Sequence, residues 1–415
     1  MSIFRKIREK HGTGFSVGIA GDFCPRGKSR ETAEMAGEIV KEILPDFSKC
    51  DVKILQWEVA ITTDDTPIIK SGPNHKCEPV ALEFAKALGA DILLFANNHI
   101  GDFGPDAVMQ AIGYAEEAGF AVAGAGKNAS DAAKPLKMNV KGIPFAIFNS
   151  CEHEFGIAGR NFPGCAGTDP YLLEKAVREV KEEGYLVLTA LHGGTEHYPF
   201  PTPRMVKLFR GIASAGADAV FNTHTHCPLG AEIFRNTPIV ASSGNFYFPP
   251  ANNKLHNFLN WHLGYLAIYH FDKDGAWALE ILPYVQKPGK IRPLSAGEEK
   301  EFEQYFEELC KPFADMEYCE DLFESWCWRK SGFSSYFSML FDQARPEEFS
   351  APETIRKLMP IRNLFHCESH CELIRTCFRL VEERRTETAG RWEEMILSCQ
   401  NPAWLKKLLL EEKEL

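Results

Sequence analysis

Six side chains able to ligate a metal, Asp22, Glu58, Asn98, His192, His224 and His226, each stand where an apolar run of the chain stops. Two carboxylates, one amide oxygen and three imidazoles suit a borderline divalent ion such as Zn, Mn, Fe or Co; an all-carboxylate set would have indicated Mg or Ca. A single histidine of this kind is usually a satisfied core group, but six ligating types at successive run ends make coincidence a poor account. On an extended segment His224 and His226 would share one face, because strand side chains repeat every two residues. By the same rule Asn98 and His99 would point oppositely, Asn98 to a metal and His99 to a substrate.

These residues need elements to position them. Residues 92–96 have the length and composition of a strand buried on both faces, and they stop in Asn97-Asn98-His99 with Asp102 three residues on. Taken alone, that cluster could be a turn whose Asn side chains cap the next helix. Strands are also predicted over 14–22, 52–57, 120–124, 145–149, 185–191 and 218–221, and helices over 31–44, 79–88, 105–118, 170–183 and 202–215. Such alternation implies parallel crossovers in an α/β domain, whose ligands sit beyond the carboxyl ends of the strands. From 239 to 286 antiparallel strands, with a turn at Asp274-Gly275, are expected to close this domain. Residues 294–415 read as an appended helical unit with helices over 296–310, 316–328, 365–384, 390–399 and 403–413, broken by Pro346, Pro352 and Pro360. The expected division is therefore 1–293 and 294–415.

The 415 residues carry 46 Lys plus Arg against 57 Asp plus Glu, a net charge of −11, evenly spread. That balance argues against non-specific nucleic-acid binding and anionic membrane surfaces, so an anionic substrate would need a local cation. No apolar run is long enough to span a bilayer. Residues 1–10 begin basic but lack an apolar core for a signal peptide, and the 13 cysteines read as reduced thiols, so a cytoplasmic location is expected.

Over residues 14–286 the chain resembles the CapA family of poly-γ-glutamate capsule synthesis proteins, within the calcineurin-like metallophosphoesterase superfold. The motifs are Gly21-Asp22, Trp57-Glu58, Ala96-Asn97-Asn98-His99 with Asp102-Phe103-Gly104, Gly124-Ala125-Gly126, Leu191-His192-Gly193-Gly194-Thr195-Glu196, Thr223-His224-Thr225-His226 and Ser243-Gly244-Asn245-Phe246. The resemblance implies a four-layer α-β-β-α sandwich and one or two divalent ions, Mn, Zn or Fe. Glu58 would bridge two metal positions; Asp22 and His226 would complete the first, and Asn98, His192 and His224 the second. It further implies that His99 protonates a leaving oxygen or orients the attacking water, with Asp102 holding its tautomer. Two cations about 3.5–4 Å apart would bring a bridging water toward neutral pKa and clamp the attacking and leaving oxygens. Three positions depart from the pattern. Cys24 replaces a histidine at the first site and reads as a buried inert thiol, which leaves that site weak or empty. Gly193 replaces an aromatic residue and should open the pocket floor. The double-His-Pro-His run is Asn-Thr-His-Thr-His here.

Lys76, Glu196 and Asn245 are the candidate substrate contacts. His75 and Arg26 are loop charges near the site, and Glu152-His153-Glu154 could rim it. His366 with His370, and Cys367 with Cys371, would form i,i+4 pairs on one helix, where thiol packing is expected rather than zinc. Phe323, Trp326, Trp328, Phe333, Tyr336, Phe337 and Phe341 read as core aromatics. The expected function is a metal-dependent hydrolase acting on a small or peptide anionic substrate, first of all a phosphoesterase, linked to capsule or poly-γ-glutamate metabolism. The alternatives are an acid–base enzyme on a peptide or poly-γ-glutamate (amide hydrolysis, ligation or epimerisation) and a non-catalytic binding module. The C-terminal helices could serve a protein partner or an oligomer.

Overall fold

The computed structural model describes residues 2–26, 29–250, 255–329 and 352–411. Two sheets face each other. The larger, of nine strands among the described residues, runs Ile3–Lys6, Gly275–Lys287, Leu263–Asp272, Gly14–Phe23, Val52–Trp57, Ile92–Leu94 and Ala121–Ala123, with Asn245–Tyr247 and Lys290–Pro293 on its flanks. The smaller has six, in the order Ala231–Phe234, Thr237–Val240, Ala219–Thr223, Leu186–His192, Ile143–Cys151 and Leu136–Val140.

Strand alternation builds the layers. Ile54, Leu94, Phe145, Leu188 and Phe221 point between the sheets into one apolar cluster. Their neighbours Leu55 and Leu93 point outward under helices bearing Ile39, Phe84 and Val108. On the far side Ala146, Val187 and Val220 meet Val177, Phe209 and Ile212. The result is the expected four-layer α-β-β-α sandwich, and each of its two sheets is buried on both faces.

Several local expectations are corrected. Helix 31–44 is three short helices, Ser29–Glu34, Ala36–Val40 and Leu44–Phe47, with Pro45 opening the last. Thr237–Val240 pairs antiparallel with Ala231–Phe234 on one edge but parallel with Ala219–Thr223 on the other, and Asn245–Tyr247 pairs parallel with Gly14–Phe23. The antiparallel expectation holds for the hairpin of Leu263–Asp272 and Gly275–Lys287. The 92–96 strand ends at Leu94. Pro360 lies inside helix Pro352–His366, whereas Cys367, extended at ψ 127°, separates that helix from Glu368–Glu382. Pro346, Phe333, Tyr336, Phe337 and Phe341 lie outside the described residues.

The helices after Ser295 do not bury a core apart from the sheets: Phe302, Phe306, Leu309, Trp326 and Leu405 join the same cluster as both inner faces. No helix among the described residues is long and apolar enough to cross a membrane.

One irregularity matters for the site. Between Ala20 and Asp22 the pairing of Gly14–Phe23 with Val52–Trp57 slips by one residue at Gly21. By strict alternation Asp22 would share the outward face of Ala20; the bulge turns it inward and sends Phe23 outward. A Cβ on Gly21 would lie 1.8 Å from the Gly244 carbonyl oxygen, which accepts the Asp22 N–H at 3.0 Å. Gly21→Ala is therefore expected to lower unfolding free energy by about 2 kcal/mol or more, measured by denaturant titration, because neither backbone can yield without breaking the ladder.

Candidate metal centre

The carboxyl ends of the parallel strands in both sheets meet at one edge. The larger sheet brings Asp22, Glu58 and Asn98 there, and the smaller brings His192, His224 and His226. Ligand atoms of Glu58, His192 and His224 lie within 4.8 Å of one another, and so do those of Asp22, Glu58 and His226. Either group could hold a metal ion, and Glu58 belongs to both. The Asn98 amide oxygen is 3.1 Å from His192 Nε2, which is 3.1 Å from His224 Nδ1 and 3.4 Å from a Glu58 oxygen.

All six are buried. Both Glu58 oxygens and one Asp22 oxygen are enclosed with no hydrogen-bond partner among the described residues. Burial pushes the Glu58 carboxyl up to about 8, and burial together with Glu58 raises Asp22 well above the usual range. The same burial pulls His192 down to about 3 and lowers His224 and His226. A set of neutral imidazoles around unpartnered carboxylates is a donor set that fits a divalent cation, whose charge would replace the lost hydration.

The turns that aim these groups differ from the extended segments expected. His224 and His226 have φ of 95° and 56°, so they do not share a strand face. Strand pairing ends at Thr223, and the Asp22 carboxylate takes the His224 N–H at 3.0 Å; the two rings then serve different groups. Asn97 Oδ1 caps the N–H groups of His99 (3.0 Å) and Ile100 (2.8 Å), which curls the chain so that Asn98 and His99 line the same cavity instead of opposite faces. Asn97 thus closes the turn itself, whereas the next helix, Pro105–Glu117, starts at Gly104 without a side-chain cap.

Around the ligands, second partners fix orientation. Asp102 Oδ2 is 2.7 Å from His99 Nδ1, and Lys70 Nζ is 2.5 Å from Asp102 Oδ1. Burial, then the Lys70 charge, hold His99 well below its ordinary value, and burial raises Asp102 to about 6 against the pull of Lys70. His75 stacks on His99 at 4.4 Å between centroids, donates its N–H to Asp102, and meets Arg26 at 2.9 Å. Asn245 Oδ1 is 3.0 Å from His226 Nδ1 while its amide group bonds two carbonyls, so it braces a ring. Lys76 turns to Asp65 and Phe103. Lys70 instead occupies the place beside His99, and no motif in the loop around it marked it out. Glu196 lines the cavity beside Asn98 and His99.

Cys24 is buried in the outer apolar cluster and burial raises its thiol well above the ordinary value, so it supplies no thiolate. Gly193 does not open the floor: a Cβ there would lie 2.6 Å from Glu152 Cγ, and the Glu152 side chain fills that space. Glu152 in turn pairs with Arg204 and accepts the Ser369 N–H at 3.2 Å, capping helix Glu368–Glu382. This anchoring accompanies the break at Cys367, which removes the single helix needed for the two i,i+4 pairs.

A family model described as bacterial capsule synthesis protein PGA_cap matches residues 16–250. The chain belongs to that family. The capsule biosynthesis protein CapA of Bacillus anthracis is 27% identical over 305 residues, covering 71% of this chain and 73% of the relative. The PGA biosynthesis protein CapA of Bacillus subtilis (strain 168) is 28% identical over 284 residues, covering 67% and 73%. Among solved structures the chain is similar to a 5'-nucleotidase precursor from Thermus thermophilus, at 15% identity and TM-score 0.41, covering 68% of this chain and 56% of that one. All six metal-ligating candidates of this PGA_cap chain fall inside the matched stretch, whereas Pro360, Asn363, Leu364 and His370, which line the same cavity as His99, fall beyond it.

His153 joins that outer segment through Glu368, 2.6 Å from its Nδ1. The hydrogen bond to Glu368 raises His153 and the same contact lowers Glu368. A raised histidine stabilises the fold fully below its unfolded pKa of about 6.5 and loses that contribution as pH rises through the higher folded value. The melting-temperature gap between wild type and Glu368→Gln should therefore be widest below about pH 6.5 and narrow as pH rises, followed by thermal melts across pH 5 to 9.

Proposed function

We propose that this PGA_cap protein is a metal-dependent hydrolase acting on a compact anionic substrate, with a phosphoester as the bond to test first. Glu58 carries the reading: a fully buried carboxylate, neither oxygen hydrogen-bonded among the described residues, within reach of two ligand groups. Divalent cations there (Mn, Zn or Fe) would supply a nucleophilic water at neutral pH and an attraction for anions that a chain of net −11 otherwise lacks.

The chain's own residues have distinct tasks in this reading. Asp22 and His226 hold one position and Asn98, His192 and His224 the other, with Glu58 between. His99 has Nδ1 committed to Asp102, so Nε2 is the nitrogen that orients the attacking water or protonates the leaving oxygen. Lys70 braces Asp102. Glu196 contacts substrate from the wall, and Lys76 would reach an anion only by leaving Asp65. Residues 1–293 form the metal-binding unit, and 294–415 supply the far wall of the pocket.

Two cavities of about 240 and 220 Å³ adjoin the centre and share Glu154, Glu196, Leu364 and His370. Each is smaller than the roughly 300–1,000 Å³ of ordinary ligand pockets, which favours a small molecule or one end of a chain. The family description and the names of the curated relatives favour a second reading, in which that end belongs to a glutamyl polymer and the bond is an amide or an α-carbon to hydrogen bond.

Purified protein should contain Mn, Zn or Fe by elemental analysis and hydrolyse an aryl phosphate. His99→Ala should keep its metal while turnover falls by about 10²–10⁴. Metal-loaded wild type inert on a broad phosphoester panel would discard the first reading. Glutamyl peptides in deuterated water test the second, through cleavage or deuterium at one α-carbon.

A further inference from the structure

The Asn98 carboxamide can ligate a cation only through oxygen, since its nitrogen lone pair is delocalised, so the direction in which the amide is turned decides whether it serves. That direction is fixed from behind. Asn98 Nδ2 donates to Glu154 Oε2 at 2.6 Å, which leaves Oδ1 facing His192 at 3.1 Å. The other Glu154 oxygen accepts from Asn363 Nδ2 at 3.2 Å. Asn363, only 2% exposed, also donates to Ser71 Oγ at 3.1 Å and accepts from Arg362 at 3.0 Å. Arg362 bonds the Glu154 carbonyl and lies 4.8 Å over the Phe155 ring. Thus Glu154 is gripped at backbone and side chain by helix Pro352–His366, outside the stretch matched by the family model.

We infer that Asn363 is a positioning residue which, through Glu154, holds the Asn98 amide with its oxygen toward His192, so that the second cation position is complete only when helix Pro352–His366 is docked. The inference rests on the metal reading above. Its second contact reaches Ser71, next to Lys70, so one amide steadies both the ligand loop and the lysine behind His99.

The test is a calorimetric titration of the full chain, stripped with chelator, with MnCl₂. Wild type should bind two equivalents, the weaker at the first position (Asp22 and His226), where Cys24 stands in the outer apolar cluster and adds no ligand. Asn363→Leu and Glu154→Leu should weaken the second by roughly 10–100-fold and leave the first within about twofold, the size expected for loss of an outer partner of a ligand. A carboxylate ligates through either oxygen and needs no such orientation, so adding Asn98→Asp to Glu154→Leu should restore the second equivalent. Glu353→Ala, exposed on the same helix, serves as the control and should bind as wild type. Unchanged second-site affinity in both leucine variants, equal weakening of both sites, or failure of Asn98→Asp to rescue would each overturn the inference while the metal reading stands. Wild type that binds no Mn²⁺ would remove the metal reading, and this inference with it.

Discussion

Glu58 is buried among imidazoles with no hydrogen bond to either oxygen among the described residues, and a carboxylate in that state is tolerable only neutral or beside a cation. The rest of the edge is arranged around that constraint. Asp22 is turned toward Glu58 by a one-residue bulge, although burial and the Glu58 charge raise its pKa. Three histidines are kept neutral by burial, the form in which they can ligate. Such a cluster opposes folding unless something positive shares it, which is why the donor set reads as chemistry and not as packing.

Holding that cluster in place takes a second layer of hydrogen bonds. Thr223 Oγ1 meets His192 Nδ1 at 3.1 Å, Asn245 meets His226, Asp102 meets His99, and Glu154 meets Asn98. Each partner uses its remaining capacity on backbone or on a further side chain. The rings and amides therefore have few alternative orientations, as a pre-organised ligand set requires.

The outer wall of the site comes from a different part of the chain. Leu364, Ser369, His370 and Leu373 face the cavities from the C-terminal helices. Those helices are joined to the sheets by shared apolar packing and by ion pairs such as Arg204–Glu372 and His153–Glu368. The family-matched stretch carries the candidate ligands, while the appended helices line the cavities beside them.

The residue order alone marked the sandwich and the candidate ligand set, because strands buried on both faces are read from apolar runs, and a polar group able to ligate at the end of each run has no packing reason to be there. Conformation inside the turns was not legible. His224 and His226 adopt positive φ, and His224 gives its N–H to Asp22, 202 residues away in the chain. Gly193 does not open the floor because Glu152 fills the space, and Lys76, a candidate substrate contact, pairs with Asp65 while Lys70 lies beside His99. The predicted helix through Cys367 divides where Glu152 caps the N-terminus of its second half. Local sequence therefore determined which groups could act. Hydrogen bonds between segments far apart in the chain decided where each one points, since no local pattern encodes a partner brought near only by folding.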